Sequence, residues 1–304
     1  MSIDPSQPRL KSKRFIVNEA TTLLRLEDPK GYFIQSASRI VRECPPELPW
    51  ASLFRGQIYR GLFVGPTSIA YLFLCLSAKH ADLEIKGRRP AEWCKAYLEL
   101  GQDSVALVFE GTCGITSEYL ASNALKACLY QSETHAAKVL DAFSNLEADP
   151  AHCEWMNGRA AILPQQPWIW NGSQYLGVVH GEIGILTQVI LSDPSHASKL
   201  ESKLLSLINL QDVEGNWPFC HGAPGFVGSL IAIKSYFPTL RKQIDAAITR
   251  GRKITWEKGL LTKEPNFCYG SSGNSLALDA PQREHFLCFA TPERIEQDSL
   301  VRLI

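Results

Sequence analysis

The chain has 304 residues, 45% of them hydrophobic, and its 31 Lys+Arg balance 31 Asp+Glu to a formal net charge of +0. The hydrophobic share supplies a large core, in one big domain or two smaller ones, and the charge balance excludes the basic footprint of a nucleic-acid binder. Residues 1–24 mix charges and prolines without an apolar core, so no signal peptide is expected, and the longest apolar run, residues 69–78, falls far short of the roughly 20 residues of a membrane span.

A small-residue turn recurs along the chain. Its copies read Gly65-Pro66-Thr67-Ser68, Gly111-Thr112-Cys113-Gly114, Gly158-Arg159-Ala160-Ala161, His180-Gly181-Glu182-Ile183-Gly184, Cys220-His221-Gly222-Ala223-Pro224-Gly225 and Cys268-Tyr269-Gly270-Ser271-Ser272-Gly273. The leading glycines at 65, 111, 158, 181, 222 and 270 stand 46, 47, 23, 41 and 48 residues apart. A period in the forties suits a helical hairpin of two helices of about 12–15 residues and two connections.

Helical spacing follows several turns: Ile69, Leu72, Phe73 and Leu76 after the first, Ile115, Tyr119, Leu120 and Ala124 after the second, Phe226, Leu230, Ile231 and Ile233 after the fifth. Residues 91–100 and 200–208 read as outer helices, and strand signals are scarce. The predicted fold is all-α. Hairpins repeated around a circle make an α/α toroid with every glycine turn at one end of the ring. An open α-solenoid of the HEAT type is the alternative.

Three of the turns carry cysteine or histidine just before their leading glycine. Two cysteines and a histidine converging at helix starts are the ingredients of an open zinc site. Each has a plainer reading: His180 as a core histidine bonded to a carbonyl, Cys220 and Cys268 as buried hydrophobes, Glu154 as a solvated helix end. The nine cysteines, an odd number in apolar contexts, fit reduced thiols in a cytosolic protein, with Cys75, Cys94 and Cys128 as core fillers. Trp155, Trp168, Trp170 and Trp217 read as packing. Glu110, Glu118, Glu182 and Asp279 lie near turns, but no pair has a spacing that marks paired-carboxylate glycosidase chemistry.

Several stretches carry a family resemblance: Tyr175-Leu-Gly-Val-Val-His180-Gly, Phe219-Cys-His-Gly-Ala-Pro-Gly225, Cys268-Tyr-Gly-Ser-Ser-Gly-Asn274, Glu154-Trp-Met-Asn-Gly-Arg-Ala160 and Gly65-Pro-Thr-Ser-Ile-Ala-Tyr71. They resemble the lanthionine synthetase C-like family, especially its eukaryotic glutathione-associated and fungal members, over roughly residues 50–295. The resemblance implies a seven-hairpin α/α toroid. It also implies a zinc held by two cysteines and a histidine, thiol addition to dehydroamino acids in bacterial members, and links to glutathione and modified peptides in eukaryotic ones.

Residue by residue, the resemblance implies Cys220 and Cys268 as the zinc thiolates, with Tyr269 where the family has its histidine ligand. It implies His180 as the acid–base group, His221 as a second histidine facing the site, and Glu154 as the acid near the reacting centre. Zinc with three protein ligands keeps a fourth position for a substrate thiol, and a histidine near its ordinary pKa of ~6.5 suits the proton work.

Three departures shape the expectations. A phenol with pKa ~10 replaces imidazole at Tyr269, so zinc is expected to be weak or absent, unless His221, His285 or Cys288 stands in. The interval of 23 residues after Gly158 holds Pro164 and Pro167, which points to a missing inner and outer helix. After Gly270 only 34 residues remain, interrupted by Pro281, with no seventh turn.

The reading is therefore an N-terminal segment over residues 1–50 and an incomplete toroid over residues 51–304. The expected activity is zinc-assisted addition of a thiol, glutathione or a peptide cysteine, to an unsaturated electrophile, a form of peptide modification. A catalytically impaired module that binds glutathione, peptide or protein is the alternative. A small thiol or peptide is the expected partner, with a homodimer closing the seam of the ring. The expected location is cytoplasmic, or peripheral at the plasma membrane as in some relatives.

Overall fold

The structure, a computed structural model, describes residues 15–47, 61–100, 114–144, 168, 174–179, 181–217, 222–262, 265–266 and 270–297. These residues are mostly helical and divide into two compact units, Phe33–Gln174 and Met1–Tyr32 with Tyr175–Ile304. The fold is all-α and built of helical hairpins, as an α/α toroid requires.

Helix α1 (Pro29–Glu43) begins in one unit and ends in the other. The first unit then holds two hairpins, α2 (Pro66–Lys79) with α3 (Pro90–Leu98), and α4 (Glu118–Tyr130) with α5 (Glu133–Ser144). Helix α2 also packs on α4. Ala37 and Val41 of α1 join Ala70, Phe73, Trp93, Cys94, Tyr97 and Leu125 in one apolar core. Phe73 stacks on Tyr97 with ring centroids 5.9 Å apart. The polar edges of this core are satisfied: Trp93 Nε1 donates to the Ile85 carbonyl at 2.8 Å and the Tyr97 hydroxyl to the Cys44 carbonyl at 2.6 Å.

The second unit repeats the hairpin three times: α6 (Glu182–Ser192) with α7 (Ala197–Asn209), α8 (Gly222–Ile233) with α9 (Arg241–Lys258), and α10 (Ser271–Ser275) with α11 (Ala280–Leu287). A last helix, α12 (Pro292–Gln297), follows. Helices α6, α8 and α10 form an inner row, α6 against α8 and α8 against α10. Burial patterns explain which helix goes where. Helix α6 buries Ile183, Ile185, Leu186, Val189 and Ile190 around nearly its whole circumference. By contrast α7 buries one stripe, Leu200, Leu204, Leu207 and Ile208, at the i, i+4, i+7, i+8 spacing of a helix with one wet face. Helix α9 does the same with Ile244, Ala247, Ile248, Gly251 and Ile254.

The leading glycines of four of the six recurring turns lie within the described residues, and each opens a helix. Gly65, Gly181 and Gly270 cap α2, α6 and α10, and Gly222 is the first residue of α8. Gly111, Gly158 and the Pro164–Pro167 stretch lie outside the described residues. Helix α4 starts later than the apolar spacing predicts. Ser117 caps it, accepting from the Leu120 amide at 3.4 Å, while the Ile115 carbonyl takes the Leu62 amide at 2.9 Å. Pro281 does not break a helix. It stands in the first turn of α11, where its missing N–H costs nothing. Of the cysteines read as core fillers, Cys94 is buried, whereas Cys75 and Cys128 are exposed.

Before α1, residues 15–28 form no helix and belong to the second unit. Strand β1 (Phe15–Ile16) pairs antiparallel with β2 (Leu260–Leu261), Phe15 opposite Leu261 and Ile16 opposite Leu260. Among the described residues no helix is long and apolar enough to cross a membrane.

Candidate functional site

Every residue singled out for chemistry, Glu154, His180, Cys220, His221, Cys268 and Tyr269, lies outside the described residues. What the structure describes is the frame on both sides of each loaded turn.

Ahead of α6, residues 174–179 cross the first turn of the helix. The Tyr175 carbonyl accepts from the Glu182 amide at 2.9 Å and the Leu176 carbonyl from the Ile183 amide at 3.3 Å, so the preceding chain satisfies two of the open N–H groups of the helix start. This approach is close enough to demand glycine. A methyl on Gly184 would overlap the Val178 carbonyl oxygen and sit 2.7 Å from its carbon, and one on Gly181 would sit 2.5 Å from the Leu176 carbonyl carbon. The Gly-x-x-Gly spacing after His180 is thus a packing requirement that fixes the chain before and after position 180. Glu182, buried in the same turn, pairs with Lys203 of α7 at 2.5 Å and ties the inner helix to its outer partner.

Ahead of α8, Trp217 is buried and stacks on Phe226 at 4.6 Å with ring planes 7° apart. Its Nε1 donates to the Leu207 carbonyl at 3.0 Å. Trp217 precedes Cys220 and Phe226 follows it, so the stack joins the two flanks of that turn. Gly222 opens the helix at φ +37, a left-handed backbone that favours glycine.

Ahead of α10 the flanks are stitched by polar bonds. The Asn266 carbonyl accepts from the Gly273 amide at 3.3 Å, the Pro265 carbonyl from the Ser272 hydroxyl at 2.5 Å, and the Gly259 carbonyl from Asn274 Nδ2 at 2.8 Å. The three turns that carry His180, Cys220 with His221, and Cys268 with Tyr269 therefore directly precede three inner helices packed in one row.

Among the described residues no group of three or more His, Cys, Asp and Glu side chains is placed to hold a metal ion. Neither described stand-in is a ready donor. His285 uses Nδ1 to accept the Leu24 amide at 3.0 Å. Burial, with Glu284 nearby, pushes the Cys288 thiol up and away from the thiolate a metal needs. Cys220, His221, Cys268 and Tyr269 lie outside the described residues. Two thiolates suit zinc, and the phenol must lose a proton to join them.

Two of the acids near the turns, Glu118 and Glu182, have structural partners. Glu118 accepts from the Gly61 amide at 3.0 Å and from the Thr67 hydroxyl, stitching the start of α4 to the first turn of α2. Burial raises its pKa, opposed by these two bonds and by the Lys126 charge. Sequence spacing held no sign of either Glu118 or Glu182 as a stitch, because each partner sits on another helix.

The profile of the family described as "Lanthionine synthetase C-like protein" matches residues 23–285. Among curated proteins the chain is 27% identical over 139 residues to "Glutathione S-transferase LANCL1" of Danio rerio. That match takes in 40% of this chain and 34% of the relative, so the chain spans about a third of the length of the curated relative it matches. With the profile running through both units and all the loaded turns, this chain belongs to the lanthionine synthetase C-like family.

Proposed function

We propose that the protein adds a thiol, glutathione or a peptide cysteine, across the double bond of an unsaturated carbonyl compound such as a dehydroamino-acid residue. The observation that carries this reading is the placement of the three loaded turns before the packed inner helices α6, α8 and α10. The relative's printed name, a glutathione S-transferase, supports glutathione as the thiol class. The free thiols Cys44, Cys75, Cys94, Cys128 and Cys288 support a reducing, cytoplasmic setting.

Cys220 and Cys268, with Tyr269 third, would hold a zinc ion, which when bound supplies a position where a substrate thiol is kept as its thiolate. In the addition the S–H proton leaves, a sulfur–carbon bond forms at the β-carbon, and the π pair moves toward the carbonyl. His180 donates the proton that completes the α-carbon, and His221 removes the thiol proton, so nothing is lost overall. Glu154 is the acid near the reacting centre. Tyr269 favours a second reading, a binding module with impaired chemistry, because imidazole offers its lone pair at pH 7 and a phenol of pKa ~10 does not.

Zinc content and thiol-addition rate, measured on the purified chain and on Tyr269→His, test both. Weak zinc in the natural protein, tighter retention against a chelator in the variant and faster addition are expected. Zinc held equally tightly by both overturns the account of Tyr269. Zinc retention unchanged by Cys220→Ala and Cys268→Ala overturns the ligand assignment, and glutathione binding without any addition supports the second reading.

A further inference from the structure

Residues 15–26 lie as a strap along β2 and α11, within one unit. The β1–β2 ladder holds one end, and the Asn18 amide donates to the Glu257 carbonyl at 3.1 Å. At the other end the Leu26 amide donates to Glu284 Oε1 at 3.0 Å, while Arg25 Nη1 meets Glu284 Oε2 at 2.5 Å. Between these, the Leu24 amide donates to His285 Nδ1 at 3.0 Å.

That last bond requires the Nδ1 lone pair, so the ring is neutral with its proton on Nε2. His285 is 2% exposed, and among the described residues Nε2 has no hydrogen-bond partner. Trp256 lies 5.0 Å from the ring and Phe289 meets it edge-on at 5.5 Å. A second proton would set an N–H on Nδ1 against the N–H of Leu24 and put a charge into this apolar box.

The surrounding charges offer little compensation. On α11, Glu284 is already engaged by Arg25 and Leu26, and burial keeps the Cys288 thiol protonated. The strap brings Glu19 and Arg25, α9 brings Glu257 and Lys258, and α12 brings Glu293 with Arg294, whose guanidinium lies over Phe289 at 5.8 Å.

We infer that His285 is an acid-sensitive latch: neutral, it holds the strap closed, and its protonation releases residues 15–26 from β2 and α11. Burial holds the His285 pKa below its ordinary value in the closed state. In the open state the ring titrates near ~6.5, so opening takes up a proton. The latch is therefore at full strength above about pH 6.5 and weakens as pH falls below it, by at most about tenfold in the opening constant at pH 5.5. Strand β2 leads directly into residues 262–270, so release also removes the ladder at the base of the segment bearing Cys268 and Tyr269.

Hydrogen–deuterium exchange of the full chain at pH 7.5 and 5.5, corrected for intrinsic rates, reads the opening directly. Exchange in residues 15–26 should rise at the lower pH, by up to about tenfold, with α8 as an unchanged internal reference. His285→Gln accepts through Oε1 without titrating and should show less than a twofold response. Glu284→Gln, whose wild-type carboxyl Arg25 holds below the usual range, should loosen the strap at both pH values and keep the acid response. A strap indifferent to pH, or an equal acid response in His285→Gln, overturns the inference. Should that variant fail to fold, nitrogen NMR of His285 in the natural chain decides: a ring still neutral at a pH where the strap has opened also overturns it.

Discussion

Gly184→Ala isolates the close backbone approach that frames the His180 turn. The added methyl would overlap the Val178 carbonyl oxygen, and both the obstacle and the helix bearing the methyl are backbone, so no side chain can swing away. Relief requires residues 174–179 to lift from α6, which breaks the Glu182–Tyr175 and Ile183–Leu176 amide–carbonyl bonds. Each bond contributes about 1 kcal/mol net, and forcing a carbon into a packed contact costs about 1–3 kcal/mol. Alanine's better helix propensity offsets about 1 kcal/mol. The expected loss is about 2–4 kcal/mol, read as the shift in urea midpoint with an unchanged slope. Gly228→Ala is the matched control. It lies in α8 with nothing within 4 Å of the added methyl, and it should stabilise by about 0.5–1 kcal/mol. If Gly184→Ala proves neutral, or Gly228→Ala is equally harmful, the chain before α6 is not held as described.

Trp217→Ala removes the ring that stacks on Phe226 and leaves the Leu207 carbonyl without its indole donor; urea unfolding should show a loss of about 3–5 kcal/mol. Trp217→Phe keeps the stack and should lose only about 1–3 kcal/mol, so equal losses would deny the stack its role. Glu118→Gln preserves both contacts, since the amide oxygen can accept from Gly61 and the NH2 can donate to Thr67. Because the folded pKa of Glu118 is raised, the natural chain is favoured below the unfolded value of ~4.3 and loses that advantage as pH rises through the folded pKa. Stability curves from pH 4 to 7 should therefore fall relative to the variant as pH rises; parallel curves would contradict the assignment.

Helix class, hairpin period and the positions of inner helix starts were legible because they are local properties. A glycine turn, a proline in the first turn and an apolar run leave their marks within a dozen residues, as at Gly65, Gly181, Gly222 and Gly270. The Cys220-His221 and Cys268-Tyr269 pairs stand out in the sequence because the same turn carries them twice, and their placement lies outside the described residues. What only the tertiary structure decided are contacts between distant positions. Nothing in residues 15–26 announces a strap, since the bond from Leu24 to His285 joins positions 261 residues apart. Glu118 and Glu182 were only acids near turns until Thr67 and Lys203 arrived from neighbouring helices. Pro281 read as a breaker until its place in a first turn made it a start. The physical reason is common to all three: composition and spacing report what a residue can bond, and only the fold determines which groups come within reach.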